Sequence, residues 1–399
     1  MQTINNGETG LSVRNKLNTN FAEIINIDGS VKFQNGSAIN SPVIVGNLII
    51  GNGGKLITTI GAQPEHPDAA GIWKGKNNTI IGMEAGKSHT SGSWNTFIGY
   101  NAGFADDGGD QNTFIGSQCG WANTSGYHNT FIGCGAGQQQ VAGHYNVYIG
   151  TDCGLADNGG NENTVIGTSA GAGSGSRNVI FGVSAGNRYN MASDNVFIGN
   201  GAGQSNTTGG NVFIGKDAGL LNTTGYENTF VGFASGNRCI TMHRNTFMGF
   251  GAGQNTNGPM NTCYGYRALF NNLIGGLNVA VGVTALLNAK GDDNTAIGMG
   301  AGSLLTTGHE CTFVGTGADV LAGQEGVVNS TAIGWNSQIT KSHQVVIGGS
   351  LVTEVCFGSA TGAAKIVCSK PKFTAIPTVI TGLSSGDVWS NAGVLTIIP

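Results

Sequence analysis

Charge is scarce in this sequence. Lys, Arg, Asp and Glu make up 10% of its 399 residues, against about 25% in ordinary soluble proteins. The formal net charge of −4 provides no basic field to attract nucleic acid. No apolar run approaches the roughly 18 residues of a membrane span, so membrane insertion is not expected. The opening Met1-Gln2-Thr3-Ile4-Asn5-Asn6-Gly7 has neither a basic n-region nor an apolar h-region, so export by a secretory signal is not expected either. The eight cysteines include no C-x-x-C pair, which removes the usual zinc and redox spacings. No G-x-x-x-x-G-K-[ST] phosphate loop occurs. These absences lead us to expect no cofactor, no metal and no catalytic residues.

Glycine is what the chain has in excess, with 70 of 399 residues against a usual share of about 7%. The glycines follow a period, which argues against low-complexity disorder. The phrase Asn95-Thr96-Phe97-Ile98-Gly99-Tyr100-Asn101-Ala102-Gly103 returns from Asn112 and again from Asn129. An anchor Asn falls at 78, 95, 112, 129, 146, 163, 178, 195, 211, 228, 245, 261, 278 and 294, with gaps of 15 to 17 residues. Three weaker units place Cys311, Ser330 and Gln344 in the anchor position, which makes 17 units. The consensus is G-x-x-N-T-F-I-G-x-x-A-G followed by about five variable residues.

A repeat this short cannot bury an apolar face alone, whereas stacked copies can. The pattern predicts an all-β fold, a homotrimeric parallel β-solenoid or β-roll with coils of about 17 residues. Each coil is expected to hold two short strands and two turns. Thr-Phe-Ile reads as a three-residue strand with alternating side chains. Asn95, Asn112 and Asn129 are candidate ladder residues, each amide bonding the next coil. Gly99 and Gly103 are candidate corners. Ile98 is expected in the coil interior, and Phe97, Phe114 and Phe131 are expected between chains. Cys119 and Cys153 fall in the slot usually held by Ala and read as small buried hydrophobes. Ala replaces Phe at 280, 296 and 332, which predicts a change of cross-section toward the C-terminus.

The repeat occupies residues 75–349. Residues 28–74 read as a small β region and linker, with Leu56-Ile57-Thr58-Thr59-Ile60 among its strand-like runs. In residues 1–27, Val13, Leu17, Phe21 and Ile24 recur at helical spacing, which predicts a short helix that packs on a partner. Residues 350–399 read as a small β tip or trimer clamp. There, Asn391-Ala392-Gly393 is expected to turn a hairpin.

The stretch from Ile4 through Gly7-Glu8-Thr9-Gly10-Leu11 to Asn20-Phe21-Ala22-Glu23-Ile24 resembles the opening of many bacteriophage tail-fibre and appendage proteins. Gly382-Leu383-Ser384 through Val388-Trp389 to Gly393-Val394-Leu395 resembles a β-hairpin terminus of phage tail proteins. The N-terminal resemblance implies that Val13, Leu17, Phe21 and Ile24 face the virion, on a baseplate or another virion protein. Ser330-Thr331-Ala332-Ile333-Gly334 and Gln344-Val345-Val346-Ile347-Gly348, 14 residues apart, resemble the head repeats of trimeric autotransporter adhesins. The resemblance implies a parallel β-roll of three chains. The 17-residue spacing upstream departs from it.

Candidate receptor contacts are the aromatics between phrases: Trp94, Trp121, Tyr127, Tyr145, Tyr189 and Tyr226. Their rings offer stacking surfaces to sugars or proteins. His128 and His343 directly precede an anchor, and His144, His243 and His309 lie two before one. Three imidazoles around a three-fold axis are an alternative metal or anion site. Asp106, Asp107 and Asp110 share one loop; turn and surface roles fit them, with paired-carboxylate glycosidase chemistry as the alternative. The expected function is a structural virion fibre, a tail fibre or related appendage, that displays a region binding a host cell-surface glycan or protein. A catalytic tailspike that degrades surface polysaccharide and a cell-surface trimeric adhesin are the alternatives.

Overall fold

The structure is a computed structural model. It describes residues 57–60, 75, 77–155, 159–171, 173, 175–186, 192–352, 388–391 and 394–397. The helical stripe at Val13, Leu17, Phe21 and Ile24, and Tyr189, lie outside the described residues.

The chain forms a parallel β-solenoid. One three-residue strand per coil, such as Thr96–Ile98, Thr113–Ile115 and Thr130–Ile132, stacks on the equivalent strand of the next coil. Phe97 pairs with Phe114 and Phe114 with Phe131, so register never slips. Among the described residues the sheet has eighteen strands; the first of them, Ile57–Ile60, pairs with Asn78–Ile81. The sheet therefore reaches into the stretch read from sequence as a separate β region. The other sides of most coils are turns rather than second strands. Backbone hydrogen bonds still join them, as in Gly103 N to Cys119 O at 2.9 Å and Gly120 N to Ala136 O at 2.9 Å. Among the described residues a second solenoid strand occurs near the C-terminal end, where Asp319–Val320 pairs with Gln338–Ile339. Val388–Asn391 and Val394–Ile397 pair antiparallel, as the predicted hairpin requires; its turn at Ala392-Gly393 lies outside the described residues.

The expected roles of the strand residues are reversed. Phe97, Phe114, Phe131 and Tyr148 are completely buried inside the coil of a single chain. Their rings stack at 4.7–5.2 Å between centroids. Ile98 and its equivalents face outward, half-buried or exposed. The space for the rings is made by the Ala-Gly pair five and six residues later. Gly103 has φ +59, and a Cβ there would lie 3.0 Å from the Phe97 ring. A large side chain packs where a small one has been removed, so the Phe row needs no second chain.

Coil length changes near the C-terminal end, where Thr331 pairs with Val345 at a spacing of 14 residues, but the first replacements of the ring keep a filled interior. Pairing runs on through Phe247, Cys263, Ala280 and Ala296. In the coils of Cys263 and Ala280, the glycine that normally faces the ring becomes Leu269 or Leu286, both completely buried. Volume lost at one interior position is regained at its neighbour. Cys119, Cys153, Cys239 and Cys263 are buried and free. Burial pushes the Cys153 thiol up to about 12, consistent with inert filler.

The Asn ladder is present. Asn95 Oδ1 accepts from Asn112 N at 2.8 Å, and its Nδ2 donates to Gly109 O at 2.7 Å. Asn95 thus holds two backbone groups of the following coil with one side chain. Side-chain-to-backbone bonds run along the ladder, and amide-to-amide bonds join them at four of the described steps, as in Asn178 Nδ2 to Asn163 Oδ1 at 3.1 Å. The ladder runs to Asn294 Oδ1, which accepts from Cys311 N at 3.0 Å.

The interior is not wholly apolar. His89, Asp106, Asn123 and Gln140 are buried at equivalent points of successive coils. His89 Nδ1 lies 2.9 Å from Asp106 Oδ1, which also accepts from Gly109 N at 3.1 Å. Burial raises Asp106 to about 6 despite the opposing pull of His89. Its folded pKa therefore lies above its unfolded value. Its contribution to stability is fully present below the ordinary 3.8 and is lost as pH rises through about 6. Asp106→Asn, which copies Asn123 one coil on, is expected to raise the melting temperature near neutral pH. The gain should fade toward about pH 4; a gain that grew on acidification would contradict this assignment.

Candidate functional site

The residue before every anchor has a backbone of the left-handed kind. Positions 77, 94, 111, 128, 145, 162, 177, 194, 210, 227, 244, 260, 277, 293, 310, 329 and 343 all have φ between +45° and +74°. All seventeen are exposed. Gly costs least there, and this chain is rich in it, yet only Gly210 uses it. The other sixteen keep a side chain, at a cost on the order of 1 kcal/mol each. Backbone bonds knit the turns into one ridge, as in Gln111 N to Ser93 O at 2.8 Å and Asp293 N to Gly276 O at 3.1 Å. Each coil but that of Gly210 projects one side chain from this ridge, and their chemistry varies freely. They include Trp94, His128, Tyr145, Glu162, Arg177, Met260 and Leu277.

Neighbouring rungs interact. Tyr127 stacks on His144 at 4.7 Å and His128 on Tyr145 at 4.9 Å, giving a block of four rings across two coils. Tyr226 stacks on His243 at 4.8 Å. Arg177 makes a bidentate pair with Asp194 at 2.7 and 2.9 Å, and Arg244 binds Glu227 at 2.8 Å. That pairing holds the Asp194 carboxyl below its ordinary value. Such exposed pairs contribute little to stability, but they fix the shape of the surface.

Trp94 and Tyr145 thus stand on the ridge, and Tyr127 and Tyr226, one residue earlier in their coils, flank it. Trp121 is not there. It lies nine residues past its anchor, stacked on Phe104 at 5.7 Å, with Lys87 Nζ 5.0 Å from the same Phe104 ring. The acidic trio does not converge. Asp106 points into the coil, Asp107 accepts from Thr90 Oγ1, and Asp110 Oδ1 accepts from Ser93 N at 2.7 Å. Among the described residues no His, Cys, Asp and Glu group could hold a metal ion, and the hollow lined by Asn271, Leu273, Asn288, Lys290 and Thr306 is shallow. What the arrangement offers is a long array of small contacts.

The chain matches no protein-family model and no curated protein. The ridge as a whole was missed by sequence reasoning. A signal was available, since the position before the anchor carries eleven residue types across the seventeen units, but the backbone twist that pushes it outward is not written in residue types.

Proposed function

We propose that the chain is a structural virion fibre, a tail fibre or related appendage, that assembles as a homotrimer and displays a surface for a host cell-surface glycan or protein. The observation that carries this reading is the ridge. Sixteen side chains are kept in a conformation that favours glycine, in one exposed line. The resemblance of residues 4–24 to phage fibre openings supports docking of that end on a baseplate or other virion protein. Repeated weak contacts on three chains would act together, since a second contact made by a tethered array is effectively intramolecular. The engagement of Asp106, Asp107 and Asp110 within the coils favours display over glycan cleavage.

Two measurements test it. A label on this chain should decorate an appendage of phage particles; particles free of the chain would end the virion reading. Purified chain should also compete with particles for host cells. Trp94→Ala, Tyr127→Ala and Tyr145→Ala together should weaken that competition roughly a hundredfold, at about 1 kcal/mol per aromatic anchor. Unchanged competition by a folded triple variant would remove the ridge from receptor binding.

A further inference from the structure

The strand residues that turned out to face outward have no explanation within one chain. Each of the seventeen strands from Asn78–Ile81 to Val345–Ile347 presents two side chains on the outer side of the sheet. The first is Thr or Val in every coil, and the second is Ile, Val, Phe, Met or Tyr. None of these 34 positions carries a charge. The ridge beside them has the same number of coils and is more exposed, since 26 of the 34 strand positions are half-buried and eight are exposed, and there seven of seventeen residues are charged. Low overall charge therefore does not account for the difference. Exposure along the face is substantial: Ile198 is 37% exposed, Met248 42% and Ile297 44%.

The size of the face sets what it can do. Three strand residues span about 10 Å, and seventeen strands at about 4.8 Å span about 80 Å, which gives a flat patch on the order of 800 Å². Monomeric proteins rarely expose a contiguous apolar patch beyond roughly 300–600 Å². A stable protein interface buries about 800 Å² on each partner. The face is thus as large as one side of a stable interface.

We propose that this Thr/Ile face is where copies of this chain pack against one another. The rung spacing selects the occupant. A row of β-branched side chains repeating with the sheet spacing along the whole shaft is matched in pitch and length by another copy of the same shaft. The absence of charge gives a different partner no electrostatic handle for selection. The interface continues around the glycine corner in the C-terminal half, where Phe233, Phe250 and Tyr266 stack at 5.0 and 5.3 Å and remain exposed. This inference rests on the reading of the chain as a self-associating fibre, but it assigns the contact to the Ile rows and removes it from the Phe row.

The test uses the full chain. Light scattering on the native protein should give a multiple of 40.6 kDa. Ile132→Lys, Ile149→Lys and Ile214→Lys together should reduce the mass to 40.6 kDa with the β signature in circular dichroism retained. The matched set Gln111→Lys, Tyr145→Lys and Glu162→Lys on the ridge should leave the oligomer intact. A photo-cross-linking residue at position 149 of an otherwise native chain should capture covalent oligomers, and one at position 145 should not, which keeps the test open if the lysine variant misfolds. An oligomer that cross-links from 145 and not from 149 would overturn the assignment of the face while leaving self-association standing. A native monomer would overturn self-association itself; the virion reading is judged separately by particle labelling.

Discussion

Ala280→Phe is expected to destabilise the shaft, and Leu286→Gly in the same chain to restore it in part. Ala280 sits in the interior row that elsewhere holds Phe, and Leu286 replaces the glycine that elsewhere faces the ring. Both are completely buried. A Phe at 280 would meet Leu286 in a filled interior, and overpacking costs about 1–3 kcal/mol or more. Leu286→Gly alone would open a cavity at a cost of about 2–5 kcal/mol. That cost is partly offset, because Leu286 holds φ 48, where Gly is at ease. The double variant recreates the Phe97 and Gly103 pair, so the two penalties should offset each other in part, with a coupling of roughly 1–3 kcal/mol. Solenoids do not always unfold in one step, so amide exchange at Val279–Val281 is the more local readout beside the melting temperature. Penalties that simply add would show that Phe and Leu do not share one space. Leu286 also reaches the next coil, since a Cβ on Gly302 would lie 2.8 Å from its Cδ2. Protection there should recover in the double variant as well.

The second large effect is expected from the ladder. Asn129 is completely buried. Its Oδ1 accepts from Asn146 N at 3.0 Å and its Nδ2 donates to Gly143 O at 2.8 Å. Asn129→Ala would strand an N–H and a carbonyl inside the stack, at about 1–3 kcal/mol each. Asn146 N should exchange with solvent much faster, and the melting temperature should fall. Asn129→Ser should be milder, because the chain already uses a hydroxyl this way. Ser330 Oγ accepts from Gln344 N at 3.2 Å. An Ala variant as stable as the native chain would show that the ladder follows from stacking instead of holding it.

Much of the architecture was legible because it is chemically repetitive. The period, the strand at each Thr-Phe-Ile and the Asn ladder follow from one residue type recurring at one spacing, since only stacked coils bring the same amide to the same backbone group again and again. The in-or-out assignment was not legible from alternation. Asn-Thr-Phe-Ile is apolar on both sides of a three-residue strand, so the period of two names two faces without saying which is inside. The missing clue lay five and six residues on, at Ala102-Gly103, where two absent side chains make room for one ring. The aromatic contacts were half legible. Trp94 and Tyr145 directly precede anchors and stand on the ridge, Tyr127 flanks it, and Trp121 belongs to another turn of the coil.

The sequence by itself determined that this is a stack of short β coils, that asparagine ties them together, and that little charge is available for a basic or catalytic surface. The tertiary structure decided which side of each strand became core, that Leu269 and Leu286 stand in for lost aromatic rings, and that the residue before each anchor is thrust outward. The physical reason is the same in each case. Repetition specifies hydrogen-bond partners coil by coil, but side-chain volume is shared among positions distant in the phrase. Where the space lies is known only once the coil has closed.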